Sequence, residues 1–166
     1  SGLVGSEMCI RDRFKADKAI ITSGTTEAIN LVAHAWGRAN LTDGDAIILT
    51  EMEHHSDIVP WQMLAQEMNI ELRYVPVRKD LTLDMEIFEA AILGAKLVCV
   101  VHISNVLGVC NPIDDIIKIA NENGAKVLLD AAQSAPHQDI DFNALGANFM
   151  AFSAHKMCGP TGIGAL

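Results

Sequence analysis

Aromatic and basic side chains are scarce in this sequence: Phe, Trp and Tyr make up 5% of it, and 12 Lys and Arg face 21 Asp and Glu, for a net charge of -9. Such a balance offers no basic stripe for nucleic acid and no cationic surface for anionic lipid, so neither nucleic acid nor a membrane is expected as a partner. No apolar run approaches the ~18 residues that cross a bilayer, and no charged-then-apolar leader is present. The four cysteines, Cys9, Cys99, Cys110 and Cys158, have neither CxxC pairing nor metal-ligand spacing, which argues against a disulfide framework and a zinc site. GxxxxGK[ST] and HExxH are missing as well. The expectation is a soluble protein of a reducing compartment, the cytoplasm or an organelle such as a plastid. At 166 residues, half of them hydrophobic, it is long enough for one well-buried domain.

Leu3 to Asp12 resembles no protein element and reads as the translation of a transposase-type sequencing adaptor. Residues 1–13 are therefore set aside as adaptor-derived, as a fusion scar would be, and the natural sequence is taken to run over 14–166. Removing Glu7, Asp12, Arg11 and Arg13 leaves the net charge unchanged.

From Lys18 onward, short apolar runs alternate with amphipathic segments. Strands are expected at Ala19–Thr22, Ala46–Thr50, Glu71–Val77, Lys96–Ile103, Lys126–Leu129, Phe149–Phe152 and Ile163–Leu166. Between them fall helices: Thr25–Ala39 with Ile29, Val32, Trp36 and Ala39 on one face, one opened by Pro60, one capped by Asp84, and one opened by Asn111-Pro112 and closed by Asn123-Gly124. Strands alternating with single helices indicate an α/β fold, a mostly parallel, doubly wound sheet with helices on both faces. With no linker, low-complexity tract or repeat, one lobe is expected.

In such sheets ligands bind beyond the carboxyl ends of the strands, where this sequence places its polar motifs. Ser23-Gly24-Thr25-Thr26-Glu27 puts free N–H groups, hydroxyls and a helix dipole in reach of a phosphate, or simply caps the helix. Glu53-His54-His55 follows the Ala46–Thr50 strand; adjacent histidines rarely converge on one metal ion, so stacking on a flat ligand and capping a loop are the simpler uses. Asn105 follows an apolar strand as an amide donor or a turn residue. Asp130 ends another, where burying a carboxylate requires a cationic partner, either a protonated pyridine nitrogen or a structural ion pair. Finally, Phe149–Phe152 delivers Lys156 into a Gly- and Pro-rich turn beside His155. A lysine in such a place can lose its proton and attack a carbonyl, whereas the plainer reading is a solvated turn residue.

Taken in order and spacing, SGTTEAINLVA from Ser23, EHHSDIVPWQ from Glu53, HISNVLG from His102, LLDAAQSAPH from Leu128 and FSAHKMCGPTGIG from Phe152 resemble the large domain of fold-type-I pyridoxal-phosphate (PLP) enzymes of the class V aminotransferase family, most of all SufS-type cysteine desulfurases. The resemblance covers essentially all of 14–166 and implies a partial PLP-binding large domain. It makes Lys156 the Schiff-base lysine and, with His54, the catalytic pair. Asp130 is implied as the partner of the pyridinium nitrogen, Gln133 and Asn105 as donors to the phenolic oxygen side, and His54 as the stacking ring that assists proton transfer. Thr25, Thr26, Ser153 and His155 are implied to hold the phosphate. The cofactor is pyridoxal 5'-phosphate; no metal is implied. The reaction is L-cysteine to L-alanine with an enzyme persulfide, supplying sulfur for iron-sulfur cluster assembly, by a homodimer working with a sulfur-acceptor protein. Selenocysteine lyase and other enzymes of this fold share the motifs; a non-catalytic phosphate- or nucleotide-binding domain is the alternative of another kind. The persulfide cysteine and the carboxylate-binding arginine are expected beyond Leu166, so 1–166 is not expected to act as a desulfurase alone. Ala154, Val109-Cys110 and Asp57 depart from the commoner family residues (Gly, a Thr-containing turn and Asn), and Cys110 and Cys158 are read as packing or loop residues rather than sulfur carriers.

Overall fold

The computed structural model describes residues 2–166. Helix α1 (Gly2–Phe14) precedes β1 (Ile21–Thr22), and α2 (Thr25–Leu31) runs through a π-helical turn, Val32–Gly37, into α3 (Arg38–Asn40). There follow β2 (Ala46–Thr50), α4 (Val59–Met68), β3 (Glu71–Val75), α5 (Met85–Ala91), β4 (Ala95–Val101), α6 (Ile113–Glu122), β5 (Lys126–Asp130), α7 (Phe142–Leu145), β6 (Phe149–Ser153) and β7 (Gly164–Ala165). Short 3-10 turns at His55–Asp57 and Ala154–Met157 follow β2 and β6.

The strands form one seven-stranded sheet in the order β1-β7-β6-β5-β4-β2-β3. The pairings β2/β3, β2/β4, β4/β5 and β5/β6 are parallel, while β7 is antiparallel to both β6 and β1. Alternation along each strand splits the core into two layers, since successive side chains leave opposite faces. Ile48, Val98, Val100, Val127 and Leu129 pack with Phe14, Phe88, Ile116 and Ile117 on one face. Ile47, Leu49, Leu97, Cys99 and Leu128 pack with Ile29, Val32, Trp61 and Leu64 on the other. Apolar residues on both faces of the same strands fit a sheet covered by helices on both sides.

Local rules explain the helix ends. Asp84 accepts from the Ile87 N–H and Asp141 from the Ala144 N–H, each satisfying a donor of the first turn. Gly124, after α6, takes φ 75°, the left-handed conformation that suits glycine at a helix end. One face differs from expectation: Ala39 is exposed, whereas Ala33 and Gly37 are buried. The π-helical turn inserts a residue into the helical repeat and so rotates the buried stripe. Gly37 has little alternative there, since a Cβ would sit 2.8 Å from Leu64 Cδ2.

Of the segment set aside above, the described residues belong to α1, where Arg13 Nη2 donates to the Ala135 carbonyl at 3.1 Å. Phe14 is 1% exposed and its ring lies 4.8 Å from that of Phe152. No helix of the described residues is long and apolar enough to cross a membrane.

Candidate active site

Because β2, β4, β5 and β6 are parallel, their carboxyl ends open on one side, with Val101 beside Asp130 and Asp130 beside Ala151 in register. The chain leaves each strand there through a motif loop. A cavity of about 240 Å³ results, lined by Thr25, Thr26, His54, Ser56, Val101, Asn105, Asp130, Ala132, Gln133, Ser153, His155 and Lys156. Every residue singled out from the sequence as a cofactor or catalytic candidate lies on its wall. Ser56, Val101 and Ala132 are the additions. Of these Ser56 had a sequence signal, a hydroxyl two residues after a histidine at a turn, whereas Val101 and Ala132 line the wall through their place in the strands. A larger cavity of about 370 Å³ lies by α1, among Phe14, Ile20, Phe149 and Leu166, and gathers none of the motif pairs.

Asp130 lines the cavity. It is 3% exposed, and its Oδ1 accepts from the Ala132 N–H at 2.8 Å. Burial raises its pKa, against the downward pull of that hydrogen bond and of the charges of Lys156 and His54. A carboxyl so placed favours a cation brought against it.

Also lining the cavity, Ser153 ties the last residue of β6 to the start of α2. Its Oγ accepts from the Thr25 N–H at 2.8 Å and lies 2.7 Å from Thr25 Oγ1. Two buried hydroxyls thus meet at a helix start that has no capping side chain from its own N-cap, Gly24. The approach is close because Gly24 and Gly164 face each other: a Cβ on Gly164 would be 2.5 Å from Gly24 Cα and 2.6 Å from the Phe152 carbonyl oxygen. Thr26 and His155 are exposed beside this pair.

His54 caps the 3-10 turn after β2: its Nδ1 accepts from the Ser56 N–H at 3.1 Å and lies 2.8 Å from Ser56 Oγ. With Nδ1 accepting, a neutral ring carries its proton on Nε2. The His55 ring is 6.1 Å away at 82°, so the two imidazoles do not converge. Among the described residues no group of three His, Cys, Asp or Glu is placed to hold a metal ion. Lys156 is half-buried on the 3-10 turn after β6 and, among the described residues, makes no ion pair. Asn105 is exposed on the loop after β4, which Ser104 shapes by accepting from the Leu107 N–H at 3.2 Å. Cys110 and Cys158 are exposed and outside the cavity wall, and Cys99 is buried.

Behind His54 stand two further buried carboxyls that the sequence reading did not place in the site. Glu53 Oε1 accepts from Thr50 Oγ1 at 2.6 Å and from the Val101 N–H at 3.0 Å, while Asp57 Oδ1 accepts from Trp61 Nε1 at 2.9 Å. Burial raises both pKa values well above the usual carboxyl range.

The fold and the site together define an α/β domain with a lysine, a buried aspartate and a hydroxyl-lined helix start gathered at the carboxyl ends of parallel strands. The aminotransferase class-V family model matches residues 10–166, and the chain belongs to that family. A curated relative from Halalkalibacterium halodurans, named "Probable cysteine desulfurase", is 53% identical over 151 residues, 90% of this chain and 37% of its own length. The solved apo cysteine desulfurase of Thermococcus onnurineus NA1 superposes with a TM-score of 0.91 at 41% identity, covering 97% of this chain and 41% of that one. A solved C-DES variant, with glycine covalently linked to its PLP cofactor, matches at TM-score 0.87 and 26% identity over 95% of this chain and 43% of that one. The chain thus spans about 37% of the length of the curated relatives it matches.

Proposed function

We propose that this chain is the cofactor-holding part of a PLP-dependent cysteine desulfurase, which takes sulfur from L-cysteine, leaves L-alanine and passes a persulfide toward iron-sulfur cluster assembly. One observation carries the reading: a single cavity has Lys156 and a buried carboxyl, Asp130, on the same wall as the Thr25–Ser153 hydroxyl pair. The donor set fits the cofactor. A cation-seeking carboxyl suits the pyridinium nitrogen, hydroxyls at a helix start suit the phosphate, and an amine suits the aldehyde.

When bound, PLP supplies an electron sink for the pair of electrons released at the substrate Cα. Asp130 would keep the proton on the ring nitrogen, because a buried carboxylate without that cation is costly. Thr25, Thr26, Ser153 and His155 would hold the phosphate, with Gln133 and Asn105 donating to the phenolic oxygen side. His54 would cover one face of the ring, its orientation set by the Ser56 N–H. Lys156 Nζ would carry the cofactor and, once released by the substrate amine, accept and return the Cα proton. A second copy of the chain and a sulfur-acceptor protein follow as partners from the same reading. A phosphate-binding domain without chemistry has no use for a lysine opposite a buried aspartate.

Borohydride reduction of the PLP-treated protein followed by peptide mapping tests the assignment. A pyridoxyl group on Lys156, absent in Lys156→Ala, is expected; labelling of Lys118 or Lys126 instead would overturn it. Release of L-alanine from L-cysteine by the complete enzyme, with a persulfide formed on the protein, is the outcome that separates a desulfurase from a selenocysteine lyase, which would act on L-selenocysteine and leave L-cysteine untouched.

A further inference from the structure

Glu53 and Asp57 flank the turn that carries His54, and each is anchored by one oxygen only. Glu53 Oε1 holds the ends of β2 and β4 through Thr50 and the Val101 N–H, and Asp57 Oδ1 holds α4 through Trp61, itself 0% exposed. Their other oxygens, Glu53 Oε2 and Asp57 Oδ2, are buried and without a partner. The two buried acids stand on either side of His54, and each lies close enough to act on the other's ionisation. Two ionised carboxylates cannot satisfy one another, since neither has a donor. One proton between them satisfies both orphaned oxygens at once and removes a like-charge contact from the interior.

We propose that Glu53 and Asp57 share a single proton between these two oxygens, and that this clasp is a positioning device holding the His54 turn against the cavity. Each acid has donors of its own on its anchored oxygen, Thr50 and the Val101 N–H for Glu53 and the Trp61 N–H for Asp57, so the proton belongs to the pair rather than to either acid. The groups facing the clasp are Asp130 from β5, whose charge acts on both acids, and Cys99 from β4; His54 and Lys156 act on Asp130 from the far side. Loss of the proton at alkaline pH would place two like charges beneath His54, with Asp130 adding to the repulsion, and loosen the turn. Only the use made of His54 rests on the reading of the site as a PLP pocket; the shared proton does not.

Infrared difference spectra give the test. With the third raised acid removed by Asp130→Asn, the protein near neutral pH is expected to show the C=O stretch of one protonated carboxyl, and the band should vanish on adding Asp57→Asn and equally on adding Glu53→Gln, because either amide supplies the donor that the proton supplied. A band persisting in one variant would mean two independent acids, and no band in Asp130→Asn alone would mean two carboxylates; either overturns the proposal. The His54 ring signal in NMR is expected to move as the wild-type band is lost with rising pH, and to stay still in Asp57→Asn. A His54 signal indifferent to the loss of the band removes the positioning role. Should a variant not fold, the wild-type titration of band and ring signal decides alone. PLP attachment to Lys156, measured separately, fails or succeeds independently of these spectra.

Discussion

At the residue scale the site depends on a few atoms with no substitute. In the complete enzyme, on the proposed reading, Asp130→Asn is expected to leave PLP attached and slow turnover by orders of magnitude, since an amide does not hold the pyridinium proton; unchanged turnover would mark Asp130 as structural only. Trp61→Phe keeps the ring volume but takes the Nε1 donor from Asp57. It should cost about 1–3 kcal/mol in a denaturant melt, the range for a buried polar group left unsatisfied. Asp130, His54 and Lys156 were legible in the sequence as candidates because each ends or closely follows an apolar strand, where topology sends ligands. The Glu53–Asp57 pair was not. Nothing in EHHSDIVPWQ says that residues either side of a histidine turn inward together; that follows from the 3-10 turn at His55–Asp57 and from where Trp61 lies.

At the scale of elements, the strands were the readable part. Val127-Leu128-Leu129 and Ile47-Ile48-Leu49 are apolar on both faces, as parallel strands between two helical layers must be. Helix ends marked by Asp84 and Gly124 were readable for the same local reason. The π-helical turn was not, because it changes the helical repeat without a proline or other break, and it moved Ala39 from the expected inner face to solvent. The join of α2 to β7 was also hidden, since it consists of two glycine backbones in contact. Gly164→Ala should therefore lower stability by at least about 1–3 kcal/mol, because both neighbours of the added methyl are backbone and no side chain can move aside. Substituting Gly162, where an added Cβ meets nothing within 4 Å but φ is 75°, should cost less, as it carries only the backbone strain. Equal losses at the two positions would show that close approach is not the constraint.

For the whole molecule, raised carboxyl pKa values have a definite sign. Glu53, Asp57 and Asp130 bind protons more tightly when folded, so between the ordinary carboxyl range and their raised values the native state holds more protons than the unfolded one. Their contribution therefore favours folding at low pH and weakens as pH rises. Melting temperature should fall from about pH 5 to about pH 9 by more in wild type than in Asp57→Asn; equal slopes would remove the buried acids as the cause. Residues 1–13 are proposed to be adaptor-derived. Deleting residues 1–12 should leave the melting curve nearly unchanged, whereas Phe14→Ala should cost about 3–5 kcal/mol, because that ring is buried against Phe152. The sheet order carries a last consequence, for the timing of folding. β7 lies between β1 and β6, and Ile20 and Leu166 exchange backbone hydrogen bonds, so the earliest strand completes its pairing only with the last. Loop-closure entropy makes such a contact late. On a ribosome β1 must wait, unpaired, until nearly every other strand of the sheet has emerged.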